Sequence, residues 1–391
     1  MRLNRIKINL MAERSVCDPS PARLQSGTIT ARSVWSAGRL LPLSHRQKRR
    51  QAGRTPDASR GFQPSVACAI LAVSLGWIFF SANAQEIYSG SGSLPAEVDH
   101  LYTRGVQYLV KSQSPTGSWP DQPQGQEPAV AGLAVVAMLA HGDDPNLGPY
   151  SGAIRKGLDH ILKQMNPKTG YIGTSMYNHG FSTLALAESY GAVDDARLGP
   201  ALQKAVKLII GAQEGNSFHA WRYAPEATDA DTTVSGAQLV ALMAARNAGI
   251  PVPEKTIQDG LKFFFQCQTK EGGFGYTSAV APNGPRTAIG CLVLSLAKEK
   301  NSAAFKAAFE FLKNNHTDNQ YPQYFLYYGS QAFFHGSPEL WQNWNRENIN
   351  SLRASQGPEG NWDGQFGPTF GTATSLLSLA LNYRYLPIYE R

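Results

Sequence analysis

Between residues 93 and 387 the chain alternates two kinds of apolar pattern. In the first kind, apolar positions recur at i, i+3 and i+4, which is one face of a helix. Examples are Val106, Leu109 and Val110; Leu158, Ile161 and Leu162; Ala205, Leu208 and Ile209; and Leu261, Phe264 and Phe265. The second kind is apolar on more sides, over 129–140, 181–187, 236–245, 290–297 and 372–381. A helix that is apolar nearly all round is enclosed by other helices. The alternation therefore predicts helical hairpins, each with an outer amphipathic helix and an inner buried one. No period-two alternation survives for more than a few residues, so the predicted class is all-α.

A seven-residue pattern punctuates the hairpins. Gln113-Ser-Pro-Thr-Gly117-Ser-Trp119 returns as Gln268-Thr-Lys-Glu-Gly272-Gly-Phe274 and as Gln356-Gly-Pro-Glu-Gly360-Asn-Trp362. Looser copies pair Gln164 with Gly170-Tyr171, and Gln213 with Trp221. Glutamines 113, 164, 213 and 268 are 51, 49 and 55 residues apart. A similar step lands near His316, in a degenerate fifth unit, and Gln356 marks a sixth. Six hairpins predict a closed α/α toroid of two concentric helical rings. The competing architecture, an open solenoid, needs polar capping repeats, and none is visible. Within each unit the Gln amide can satisfy carbonyls at a helix end. The Gly permits a reversal with positive φ, and the aromatic packs across the turn. These residues read as structural staples.

The N-terminal region changes the charge picture. Residues 1–64 are basic and lack a sustained apolar period. An apolar run over 66–80 follows, too short to span a bilayer comfortably, and Ala82-Asn83-Ala84 precedes Gln85. Basic region, apolar core and small-x-small site predict a signal peptide over 1–84, an exported chain and one toroid domain over 85–391. A retained N-terminal membrane anchor is the alternative. The formal charge of +7 is a property of this leader: residues 1–84 hold 13 of 36 basic and 3 of 29 acidic residues. The remainder has 23 basic against 26 acidic residues, near −3, so no nucleic-acid partner is expected. Two of the four cysteines remain after the leader, Cys267 and Cys291. Both lie in apolar segments and read as buried small hydrophobes.

The Gln-x-x-x-Gly-x-aromatic repeat resembles the QW motif of squalene–hopene and oxidosqualene cyclases. The hairpin toroid is similar to that of protein prenyltransferase β subunits. Two departures stand out. Squalene-type cyclases join two such domains, whereas one is seen here, and they act inside the cell. The prenyltransferase resemblance implies an Asp, a Cys two residues later and a His to hold zinc. Here Asp231 is followed by Thr233, and Pro285-Arg286-Thr287 carries no His, so no metal and no cofactor are expected.

The chemistry-bearing segment is Asp229-Ala-Asp231-Thr232-Thr233, ahead of the third inner helix. It resembles the Asp-x-Asp-Thr-Thr variant of class II terpene cyclases. That resemblance implies Asp231 as proton donor, Asp229 as its hydrogen-bonded partner and Thr232 in place of a third Asp. A second reading makes Asp231 an ordinary helix N-cap. Aromatic and imidazole side chains offer a binding set: Trp221, Tyr223, Tyr171, His179, Tyr324, Tyr328, Phe334 and His335. The expected function is an exported toroid holding an apolar or sugar-like small molecule in its centre, with peripheral membrane contact as a further partner. The alternative is a terpene-cyclase-like isomerase that protonates a polyprenoid alkene through Asp231. The sequence does not set the oligomeric state.

Overall fold

The computed structural model describes residues 96–120, 127–316 and 321–389. All lie in the second of the chain's two units, 80–391. The predicted leader, its cleavage site and the boundary at residue 84 fall outside the described residues.

Among the described residues there are twelve helices and no strand, paired as six hairpins. They are α1 (Ala96–Ser112) and α2 (Pro128–Leu139), then α3 (Ser151–Lys163) and α4 (Met176–Ser189). α5 (Leu198–Glu214) and α6 (Thr232–Asn247) follow, with α7 (Glu254–Cys267) and α8 (Gly284–Leu296). The last four are α9 (Ala303–Asn314), α10 (Pro322–Gly336), α11 (Pro338–Ser355) and α12 (Pro368–Ala380). The even-numbered helices form the inner ring. α2 packs on α4, α4 on α6, α6 on α8, α8 on α10, α10 on α12, and α12 returns to α2. The odd-numbered helices sit outside, and α1 packs on α11 and α12. The architecture is the closed α/α toroid, and the solenoid alternative is excluded.

Closure uses the repeated staple. Gln113 Nε2 donates to Gly117 O in its own turn at 3.3 Å and to Ala153 O of the next outer helix at 3.0 Å. Gln268 reaches Gly272 O and Ala304 O in the same way, at 2.9 and 2.8 Å. Gln356 Nε2 reaches Gly360 O at 3.0 Å and Leu101 O of α1 at 2.9 Å, joining the last hairpin to the first. Gly117 and Gly360 adopt φ of +88° and +92°. A Cβ there would stand 1.9 Å from Lys156 O and 2.4 Å from Arg104 O, both in the neighbouring outer helix. Glycine is therefore required by contact as well as by conformation. The indoles of Trp119, Trp221 and Trp362 are buried and donate to Leu109 O, Ile209 O and Leu352 O at 2.8–2.9 Å.

α4 and α8 begin five and six residues before their continuous apolar runs, at Met176 and Gly284. Trp341 and Trp344 lie on α11, the outer helix of the sixth hairpin. Ser337 alone separates α10 from α11, and its Oγ caps α11 by accepting from Leu340 N at 3.3 Å.

Candidate functional site at the mouth of the inner ring

The starts of α4, α6, α8 and α10 and the turns before them bring chemistry together at one end. A short loop carries the central charges. Trp221 N donates to Ser235 Oγ at 3.0 Å, and Asp231 N donates to Trp221 O at 3.1 Å. The first turn of α6 thus pins both ends of the 222–230 excursion. Arg222 leaves the staple where Asp231 enters the helix, so the two meet.

Asp231 is the N-cap of α6, with extended backbone and a fully buried side chain. Its Oδ1 accepts from Thr233 N and Val234 N at 2.8 Å each, and from Thr233 Oγ1 at 2.6 Å. Oδ1 is saturated. Oδ2 is buried and has no hydrogen-bond partner. Arg222 Nε lies 3.6 Å from it and 3.7 Å from Asp229 Oδ2. Arg222 Nη1 is likewise buried without a partner. Burial pushes the Asp231 carboxyl above the usual aspartate range, outweighing the Thr233 and Val234 bonds and the Arg222 charge.

Aromatic rings wall this centre. The Arg222 guanidinium lies 4.9 Å from the Tyr223 ring centroid and 5.1 Å from that of Tyr276. The two hydroxyls of that pair are hydrogen-bonded to each other. The Tyr177 hydroxyl meets Thr233 Oγ1 at 2.5 Å. Its ring lies 6.1 Å from Tyr223 and 6.5 Å from Tyr324. Tyr324 in turn packs on Tyr328, Phe366 and Phe370 at 5.8–6.4 Å. Burial raises the Tyr177, Tyr276 and Tyr324 hydroxyls, and the Asp231 charge raises each further.

Residues 99–373 match the family described as Domain of unknown function (DUF6288). The chain belongs to that family. No curated protein matches it. Solved structures similar to this DUF6288 chain include the type II terpene cyclase MstE from Scytonema in its apo form. It has a TM-score of 0.50 and 16% identity, covering 75% of this chain and 100% of that one. A family 76 glycoside hydrolase from a bovine Bacteroides thetaiotaomicron strain gives a TM-score of 0.57 at 8% identity, over 73% and 77%. An inactive variant of the Salegentibacter alpha-1,6-mannanase, in complex with alpha-1,6-mannotetrose, gives 0.55 at 9%, over 75% and 99%. At such identities the likeness shows the toroid fold alone.

The DUF6288 mouth differs from the sequence-based expectation in several places. Asp229 is exposed and does not hydrogen-bond Asp231, because the Arg222 guanidinium occupies the space between them. Thr232 turns away from the carboxylate and donates to Gly275 O at 2.8 Å, while Thr233 does the bonding to Asp231. Trp221 is committed to its staple. His179 is too: it is fully buried, its Nδ1 accepts from Ile172 N at 3.1 Å, and Nε2 meets Ala205 O at 3.0 Å. Tyr171 packs against that imidazole at 5.6 Å. Phe334 and His335 sit at the far end of α10, with Phe334 against Trp341. Of the expected binding set, Tyr223 and Tyr324 reach the mouth, and Tyr328 lies one turn deeper. Arg222, Tyr177 and Tyr276 were not singled out for this centre, and Thr233 was named in the segment without a role. The signal for Arg222 was its place between Trp221 and Tyr223, directly after the staple aromatic.

Proposed function

We propose that this toroid binds a hydroxyl-bearing small molecule of saccharide type at the mouth of its inner ring. The carrying observation is the pair of buried, unpartnered polar atoms, Asp231 Oδ2 and Arg222 Nη1, beside the aromatic wall. A hydroxyl group donates and accepts at once. One ligand hydroxyl therefore completes both atoms, while the rings of Tyr177, Tyr223, Tyr276 and Tyr324 cover the ligand's C–H face. Leaving such groups unpaired costs about 1–3 kcal/mol each, which a hydroxylated ligand recovers on binding. The mannotetrose complex of the Salegentibacter mannanase supports the class, since that toroid holds an oligosaccharide. We further read the chain as exported, by way of the apolar run and Ala-x-Ala site over 66–84. No helix of the described residues is long and apolar enough to cross a membrane.

A second reading rests on a different property of the same carboxyl. With Oδ1 taken by three donors, an added proton resides on Oδ2, and burial strengthens its hold. Oδ2–H can then be delivered to an alkene: the π pair forms the new C–H bond, the other alkene carbon becomes a carbocation beside the carboxylate left facing Arg222, and an adjacent C–H bond gives its proton back to that carboxylate and its electron pair to the new double bond of the isomer. The Arg222 cation at 3.6 Å opposes that protonated state, which is why the binding reading stands first.

Calorimetric titration of the purified protein with alpha-1,6-mannotetraose and with geranylgeraniol separates the two, when combined with mass spectrometry of the mixtures. The binding reading expects saccharide affinity and unchanged ligand mass and structure. An isomerised polyprenoid formed by the wild type and lost in Asp231→Asn would replace it with the acid reading. Absence of saccharide binding at about 10 mM would remove it.

A further inference from the structure

The opposite end of the ring holds a cavity of about 430 Å3. Here α2, α4 and α6 end together: the lining includes Leu139, Glu188 and Asn247, from the last turns of the three helices. Asp143 enters from the loop after α2, and Tyr190 from the cap of α4. The C-terminal segment completes the wall with Tyr385, Leu386 and Pro387.

The electrostatics of this cavity have one sign. Each helix C-terminus is the negative end of its helix dipole, and three converge. Asp143 and Glu188 add carboxylates, and no Lys or Arg lines the cavity among the described residues. His141 Nδ1 meets Asp143 Oδ2 at 2.5 Å from behind and fixes that carboxylate in place. The Tyr385 ring lies against Gly142, where a Cβ would come within 2.2 Å of it. This contact holds the ring at the rim although it is 62% exposed. Tyr190 offers a second, partly exposed ring.

We propose that this cavity is a binding site for an organic ammonium ion. Its cation would face the helix C-termini and the Asp143 and Glu188 carboxylates, and its alkyl groups would lie on the faces of Tyr190 and Tyr385. A metal ion is the poorer occupant, because no group of three His, Cys, Asp or Glu side chains gathers among the described residues.

The test compares choline with 3,3-dimethylbutan-1-ol, its neutral isostere, by saturation-transfer NMR and calorimetry on the full chain. The expected result is choline binding, with the isostere weaker by about tenfold or more. Tyr385→Ala and Asp143→Asn should each weaken choline about tenfold. Tyr385→Ala should keep the wild-type unfolding midpoint and the wild-type saccharide affinity at the mouth. Equal affinity for both probes, no choline binding at about 10 mM, or wild-type choline affinity in both variants would overturn the proposal.

Discussion

Gln356 Nε2 donates to Leu101 O at 2.9 Å, across 255 positions of sequence. Arg104 reinforces the joint from the other side, donating to Gln356 Oε1 at 3.2 Å and to Gly357 O and Pro358 O at 3.0 and 2.9 Å. The sixth staple therefore locks the first helix onto the last hairpin. Gln356→Ala removes two donor bonds and leaves Leu101 O without this partner. We expect a loss of about 1–3 kcal/mol in unfolding free energy, with faster amide exchange in α1. Gln268→Ala should cost a similar amount but loosen α9 instead, because Gln268 grips Ala304 O. Hydrogen-exchange mass spectrometry of the two variants reads the difference. Identical exchange patterns would contradict a staple acting on its next neighbour.

His179 makes the second hairpin acid-sensitive. Burial lowers its pKa from 6.5 to about 4, partly offset by its bond to Ala205 O. A depressed histidine is neutral in the folded state and charges first in the unfolded one. Its contribution is therefore whole above pH 6.5 and is lost as pH falls from there to about 4. The size is about 3 kcal/mol. His179→Gln keeps an acceptor for Ile172 N and a donor for Ala205 O but cannot titrate. Urea midpoints measured from pH 7.5 to 4 should fall more steeply in the wild type than in this variant. Parallel curves would show that the imidazole carries no acid sensitivity.

The Asp231 carboxyl has the opposite sign. Its folded pKa is raised above 3.8, chiefly by burial. The protonated folded state is thus favoured, and its stability contribution is present below pH 3.8 and lost as pH rises through the elevated value. Asp231→Asn keeps an oxygen for the amides of Thr233 and Val234 and removes the buried charge. Asp231→Ala removes the cap as well. Near pH 7 we expect Asn to be more stable than Ala by about 1–2 kcal/mol, and to exceed or equal the wild type. If Asn and Ala unfold together, the carboxyl is not acting as a cap.

The ring was legible because its forces are periodic. Gln113, Gln268 and Gln356 recur with a Gly and an aromatic at fixed offsets, and each such trio makes the same bonds in space. Hairpin number, helix class and closure follow from that repetition. The mouth was harder to read because its contacts are not periodic. Asp229 and Asp231 are two residues apart, a spacing that suggested a direct pair, yet Arg222 from seven residues upstream of Asp229 stands between them. Tyr276 arrives from the next hairpin, held by the bond from Thr232 N to its carbonyl at 2.9 Å. His179 looked like a binding residue because an imidazole beside aromatics suits a site as well as a core. Only its two backbone partners decide the matter.

The most direct test of the central claim is a double-mutant cycle on saccharide affinity, using Asp231→Asn and Arg222→Gln with alpha-1,6-mannotetraose. If one ligand hydroxyl bridges Asp231 Oδ2 and Arg222 Nη1, each single variant should lose about tenfold or more in affinity. The double variant should then lose little beyond the worse single one, since the bridge is already broken. Wild-type affinity in Asp231→Asn, with the fold intact, would contradict the account and leave Asp231 as a helix cap.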